Sequence, residues 1–360
     1  MYSHFWTIPV LFCILFFSGI VLFDYFGSVF IASSCYNEGI NLSGGISLNK
    51  KKLILCIIGA IVLAAALILT FVVRPAALEA DRELKAANTA KKECSANLEE
   101  LKKAEAPQED LDKAQAALTA AEQDAADKKA ALIPVGLPFA LGLIGVIVGI
   151  VMVITALIPA RPAGETAFGN VRSLAMTALF AALCFVGFEY FRIDIPLGAG
   201  STAFHLGNVF CVLAALLLGG LRGGMAGAIG LTIADLSLPQ YMIGAPKTFL
   251  LKLGIGLVTG LVAHRVFAIS RNKERKVPLP VAVILSSAAG MAFNIIADPL
   301  VGYFYKLVIL GAPEQAAKVW MKFNIVTTSV NAVIAVIAAS VLYLALRPAL
   351  KHARLIPEIN

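Results

Sequence analysis

Long apolar runs alternate with short polar joints along this chain, and the lengths of the runs set the first expectation. Apolar stretches cover residues 5–31, 53–73 and 133–158, then 174–191, 206–220, 225–238, 249–267, 281–310 and 325–346. About 20 consecutive apolar residues cross a bilayer as a helix. The pattern therefore predicts nine membrane spans, or eight if the first run is absent from the mature protein. That first run lacks a basic leading region and a clean small-residue cleavage site, which argues against a signal peptide. Several later runs are short or glycine-rich, as expected of helices packed closely on one another.

Between the second and third runs the periodicity changes. Residues 79–130 are rich in Ala, Glu, Lys, Asp and Leu. Leu84, Ala87, Lys91, Cys94, Leu98 and Leu101 step alternately by three and four, as do Leu111, Ala114, Leu118, Ala121, Ala125, Lys128 and Leu132. This is a heptad seam of mostly small or apolar residues. Pro107, among Glu105, Glu109 and Asp110, divides it into two arms, because proline is tolerated in the first turn of a helix and not in its interior. Arms of roughly 25 residues, ~40 Å each at the α-helical rise, are expected to form an antiparallel coiled-coil hairpin projecting from two membrane helices. A solvated charged linker is the alternative. The expected organisation is an N-terminal hydrophobic segment and polar loop (1–52), two membrane helices flanking the hairpin (53–158) and a six-span bundle (159–360). The fold class is an all-α integral membrane protein.

Composition agrees with this pattern. Of 360 residues 59% are hydrophobic and only 15% charged, with a mean hydropathy of +0.83, whereas soluble domains carry roughly a quarter charged residues. The net charge of +7 would suit nucleic acid, but the basic residues cluster beside apolar runs, where they orient membrane helices; no nucleic-acid partner is expected. Lys50 to Lys52, Arg161, Arg172, Arg222, Arg265, Arg271, Lys273, Arg275, Lys276, Arg347, Lys351 and Arg354 all fall on one side if the spans alternate. The positive-inside tendency makes that side the cytoplasm, with the C-terminus inside and the hairpin outside. Cys13, Cys35, Cys56, Cys94, Cys184 and Cys211 form no CxxC pair and no metal-ligand spacing, so they read as small apolar residues of helices.

The stretch 191–262 carries an ordered set of motifs. Ile193-Asp194-Ile195-Pro196 follows the first helix of the bundle, then His205-Leu206-Gly207-Asn208. Next come a Leu-Gly-Gly-Leu-Arg-Gly-Gly hairpin around Arg222, Ala234-Asp235 at the end of the third helix, and Ala245-Pro246 leading to Lys252. In order and spacing, residues 170–350 resemble the substrate-binding (S) components of energy-coupling-factor vitamin transporters. The resemblance implies a six-helix bundle that captures a vitamin or its precursor near the outer surface, between the loops after the first, third and fifth helices. It also implies separate ATPase subunits and a transmembrane coupling subunit. Ala175, Ala178 and Ala182 are similar to the alanine face these proteins set against that coupling subunit; small residues at such spacing let a helix approach closely, within the domain or from outside it. The four glycines around Arg222 read as a tight turn.

Ionisable and amide side chains inside spans are costly and pair or serve transport. Lys252 is expected to pair with Asp235 or to touch ligand. Asn294 and Asp298 share one helix face, and Asn324, Thr328 and Asn331 share another. The outer loops add Arg192, Asp194, His205, Gln240, Tyr241 and Lys247. The expected ligand-binding set is therefore His205, Asn208, Gln240, Tyr241, Lys247, Lys252, Asn294, Asp298, Asn324, Thr328 and Asn331. No G-x-x-x-x-G-K-[ST] or G-x-S-x-G motif occurs, so no ATP site, no catalytic residue, no metal and no cofactor is expected. A self-sufficient secondary carrier, or a scaffold acting through the hairpin, are the competing readings.

Overall fold

In a computed structural model the described residues are 39–42, 46–157, 171–196, 201–270 and 277–353. The first apolar run, the joint before the bundle with Arg161, the basic loop 271–276 and Arg354 lie outside them. The chain forms two compact units, one of Met1–Val72 with Pro138–Asn170 and the other of Val73–Leu137 with Val171–Asn360.

A short antiparallel hairpin, β1 (Gly39–Leu42) and β2 (Ile46–Asn49), leads into two long helices, α1 (Lys50–Lys103) and α2 (Gln108–Leu157). The turn between them is encoded locally. Lys102 and Lys103 close α1, Glu109 and Asp110 open α2, and each pair suits the partial charge of its helix end. Glu105 supplies the left-handed backbone of the reversal, with φ 48°. In the first unit Gly142, Gly145 and Gly149 of α2 meet Thr70, Ala66 and Leu63 of α1. A Cβ on Gly149 would lie 2.9 Å from the Leu63 backbone. In the second unit Lys91–Glu122 at 3.1 Å and Lys128–Glu83 at 3.0 Å link the two helices, and Leu84, Ala87, Leu98, Ala114, Ala125 and Leu132 are buried.

The rest of the second unit is a helical bundle: α3 (Val171–Glu189), α4 (Gly207–Leu218), α5 (Gly220–Ser237), α6 (Pro239–Met242), α7 (Ala245–Leu261), α8 (Leu279–Phe304) and α9 (Glu314–His352). A hairpin of β3 (Arg192–Pro196) and β4 (Ser201–His205) joins α3 to α4; this stretch and α6 were expected as plain loops.

Among the described residues six helices are long and apolar enough to cross a membrane, α1, α2, α3, α7, α8 and α9. The runs expected as the second and third spans of the bundle fall short of that standard. Helix α4 has 12 residues, ~18 Å at the helical rise, and α5 is rich in glycine. Both are almost wholly buried, so they need not match the thickness of lipid. Glycine makes α5 the hub. Gly227 lies against Cys211, Gly230 against the Ala181 carbonyl, and Gly224 against Gly256, where a Cβ on Gly256 would come within 2.1 Å of the Gly224 Cα. Only Gly219, with φ 89°, makes the turn expected of the glycines around Arg222; Gly220, Gly223 and Gly224 are helical contact points instead.

Candidate ligand-binding site

At one end of the bundle the β3–β4 hairpin, α6 and the one-turn widening Tyr305–Ile309 after α8 surround a cavity of about 140 Å³. All residues of the expected ligand-binding set line it: His205, Asn208, Gln240, Tyr241, Lys247, Lys252, Asn294, Asp298, Asn324, Thr328 and Asn331. The polar faces of α8 and α9 thus converge on one space with α4 and α7.

The charges are arranged differently from the simplest expectation. Asp235 accepts a hydrogen bond from the Thr248 hydroxyl at 2.6 Å, and Lys247 forms a direct ion pair with Asp298 at 2.7 Å. Lys252 is 6% exposed and, among the described residues, makes no direct ion pair. Of the two roles left open for it, direct pairing with Asp235 is not formed.

Other polar groups are already committed within the protein. The Asn331 amide donates to the Ala203 carbonyl at 2.9 Å and accepts from the His205 backbone N–H at 3.1 Å. It therefore pins β4 to α9, helped by the Thr202 hydroxyl donating to that of Thr327. The Tyr241 hydroxyl donates to Asp194 at 2.7 Å, and Arg192 bridges Asp194 and Glu189. These contacts set the loops, and Asn331 and Tyr241 line the cavity as well. Phe188 holds the His205 ring edge-on, with centroids 4.8 Å apart. Burial, and then the nearby Lys252 charge, push the His205 imidazole down to about 3, so the ring is neutral at physiological pH.

A further group of polar atoms is uncommitted. His205 Nδ1, Asn208 Oδ1, Asn294 Oδ1 and Trp320 Nε1 are buried without a hydrogen-bond partner, and all four residues line the cavity. Buried polar atoms of folded proteins are nearly always satisfied. Their convergence on a single space is the geometry of a site that presents donors and acceptors to a guest. Trp320 escaped the sequence reading, although it lies one turn before Asn324 on the same face of α9. Asp81 and Lys85 of α1 also line the cavity, and nothing in the heptad pattern marks them.

On α3, Ala175 and Ala182 are exposed and Ala178 half-buried, so this stripe faces away from the bundle.

A family model described as the ECF-type riboflavin transporter S component matches residues 168–348. The chain belongs to this family. As an S-component family member it is a multi-pass membrane protein of vitamin transport, a role that implies binding rather than catalysis. The matched segment begins just before α3, runs nearly to the end of α9 and contains the whole expected ligand-binding set, whereas α1 and α2 precede it. Neither the curated proteins nor the solved structures yield a match to the chain.

Proposed function

We propose that the chain is the substrate-capturing subunit of an energy-coupling-factor importer, that it takes riboflavin or a close chemical relative, and that separate ATPase and coupling subunits drive uptake. The observation that carries this reading is the cavity with its unpartnered buried polar atoms. A flavin offers a flat ring edged by carbonyl and imide groups and a chain of hydroxyls. Asn208, Asn294, Asn324 and Thr328 suit hydrogen bonding to such groups, while Phe188, Tyr241 and Trp320 suit the ring faces. At about 140 Å³ the cavity is smaller than the ~300–1,000 Å³ of typical ligand pockets. Flavin entry therefore involves outward displacement of its wall.

The protein sits in the cell membrane with the cavity and the α1–α2 hairpin outside and the C-terminus in the cytoplasm, an orientation supported by the basic residues at the opposite end of the bundle. The half-buried Cys94 of α1 reports on it: a membrane-impermeant thiol reagent labels Cys94 in intact cells. Labelling only after lysis would invert the topology. The stripe of exposed Ala175 and Ala182 with half-buried Ala178 receives the coupling subunit. The paired substitutions Ala178→Leu and Ala182→Leu then weaken co-purification of that subunit while flavin binding persists; undiminished co-purification removes the stripe from the interface. The function itself is tested by titrating the purified chain with riboflavin and following flavin fluorescence. Saturable quenching at one molecule per chain is expected, and its absence with riboflavin and its analogues overturns the substrate assignment.

A further inference from the structure

A second cavity, of about 590 Å³, lies between the α1 arm and the connection from α8 to α9. Its charged lining is one-sided: Arg82, Lys85, Lys92 and Lys306 against the single carboxylate of Asp81. That carboxylate is already paired with Lys85. The arm is held in place by Arg74, whose guanidinium donates to the Ile309 carbonyl at 2.9 and 3.1 Å. This outer cavity shares Asp81, Lys85, Lys306 and Trp320 with the inner one, so the two meet along a common wall. At that wall the Lys306 ammonium stands 4.3 Å from the centre of the Trp320 ring and the Lys247 ammonium 5.2 Å from it. Lys247 is neutralised by Asp298. Lys306 has no carboxylate partner among the described residues.

Clefts lined by one sign of charge raise the local concentration of the opposite ion and speed its association, and lysine binds phosphate and carboxylate oxygens through short charge-assisted hydrogen bonds. We propose that the outer cavity is the vestibule through which ligand enters, lined on the α1 arm by Arg82 and Lys92, and that Lys306 holds an anionic substituent, a phosphate or carboxylate, of a ligand whose ring lies in the inner cavity. The proposal rests on the flavin reading of the inner cavity and adds to it a role for the α1 arm, which lies outside the family match.

The test uses the full chain in neutral detergent with two probes that share one ring, riboflavin and riboflavin 5′-phosphate. The phosphate ester is expected to bind at least tenfold more tightly at low salt, with the preference shrinking as salt rises. In K306M the loss of affinity for the ester exceeds the loss for riboflavin by at least tenfold. Equal affinities in the unmodified protein, or equal losses in the variant, overturn the proposal; the first comparison needs no variant to fold. If neither flavin binds, the flavin reading itself fails, and inorganic pyrophosphate then decides the vestibule. A rise in thermal midpoint with millimolar pyrophosphate that K306M lacks supports an anion site, and no rise overturns it. A rise produced by phosphatidylglycerol in nanodiscs but not by pyrophosphate assigns the cations to a lipid headgroup and overturns the entrance.

Discussion

Asn294→Leu separates a ligand-facing amide from a structural one, because the two roles predict opposite changes in stability. Asn294 is 1% exposed and its Oδ1 has no partner. A buried unsatisfied acceptor costs ~1–3 kcal/mol. Leucine is close in volume and removes that penalty, so the ligand-free protein should keep its thermal midpoint or gain a few degrees. The ligand-bound protein loses a hydrogen bond, worth ~0.5–1.5 kcal/mol net, which weakens binding about three- to tenfold. Thermal unfolding in detergent with and without riboflavin, together with a fluorescence titration, reads both quantities. A variant that is less stable without ligand and binds with unaltered affinity would refute the reasoning, and would make Asn294 a helix–helix contact.

Asn331→Leu should behave in the opposite way. It strands the Ala203 carbonyl and the His205 N–H, so stability falls by ~2–3 kcal/mol and affinity falls with the displaced β4; a stable variant with intact affinity would contradict the clamp. Gly256→Leu places side-chain atoms where a Cβ alone would stand 2.1 Å from the Gly224 Cα, and should leave no monodisperse protein on size exclusion, whereas a well-behaved peak would disprove the α5–α7 contact. His205 has its folded pKa lowered from 6.5 to about 3, so the unfolded chain takes up this proton first. Its contribution to stability is complete above pH 6.5 and is lost as pH falls towards 3. Ligand affinity should show no titration attributable to His205 between pH 5 and 8, and a binding transition near pH 6.5 that His205→Gln abolishes would contradict the buried neutral ring.

The polar faces of α8 and α9 were legible because helix geometry fixes which residues share a face and because amides are conspicuous in apolar runs. Rotation about the axis was less so. Lys247 and Lys252 lie five residues apart, ~140° around α7 at 100° per residue. Position along the spans offered Lys252 two roles, pairing with Asp235 or contact with ligand, but packing turns Lys247 towards Asp298 and leaves Asp235 to Thr248. Asn331 lines the cavity, but its amide is also taken up by β4, and no local pattern announced that strand or its register against α9. Helix length is a poor guide where burial replaces lipid: α4 and α5 are flanked by protein, so neither needs the ~20 apolar residues of a lipid-facing span. Asp81 and Lys85 were invisible for the plainest reason, since charged residues beside a heptad seam look like a solvated face until the arm is seen lying over the cavity.

A paired titration decides whether the cavity in the C-terminal bundle holds a flavin-like ligand. Purified full-length chain and its Asn294→Leu variant are titrated with riboflavin while flavin fluorescence is followed, and native mass spectrometry counts the bound molecules. Saturable binding of one molecule per chain is expected, weakened several-fold in a variant that remains folded. Binding that the variant leaves untouched would place the site elsewhere. No binding of any flavin, with no small molecule co-purifying, would contradict the assignment of the cavity as a substrate site.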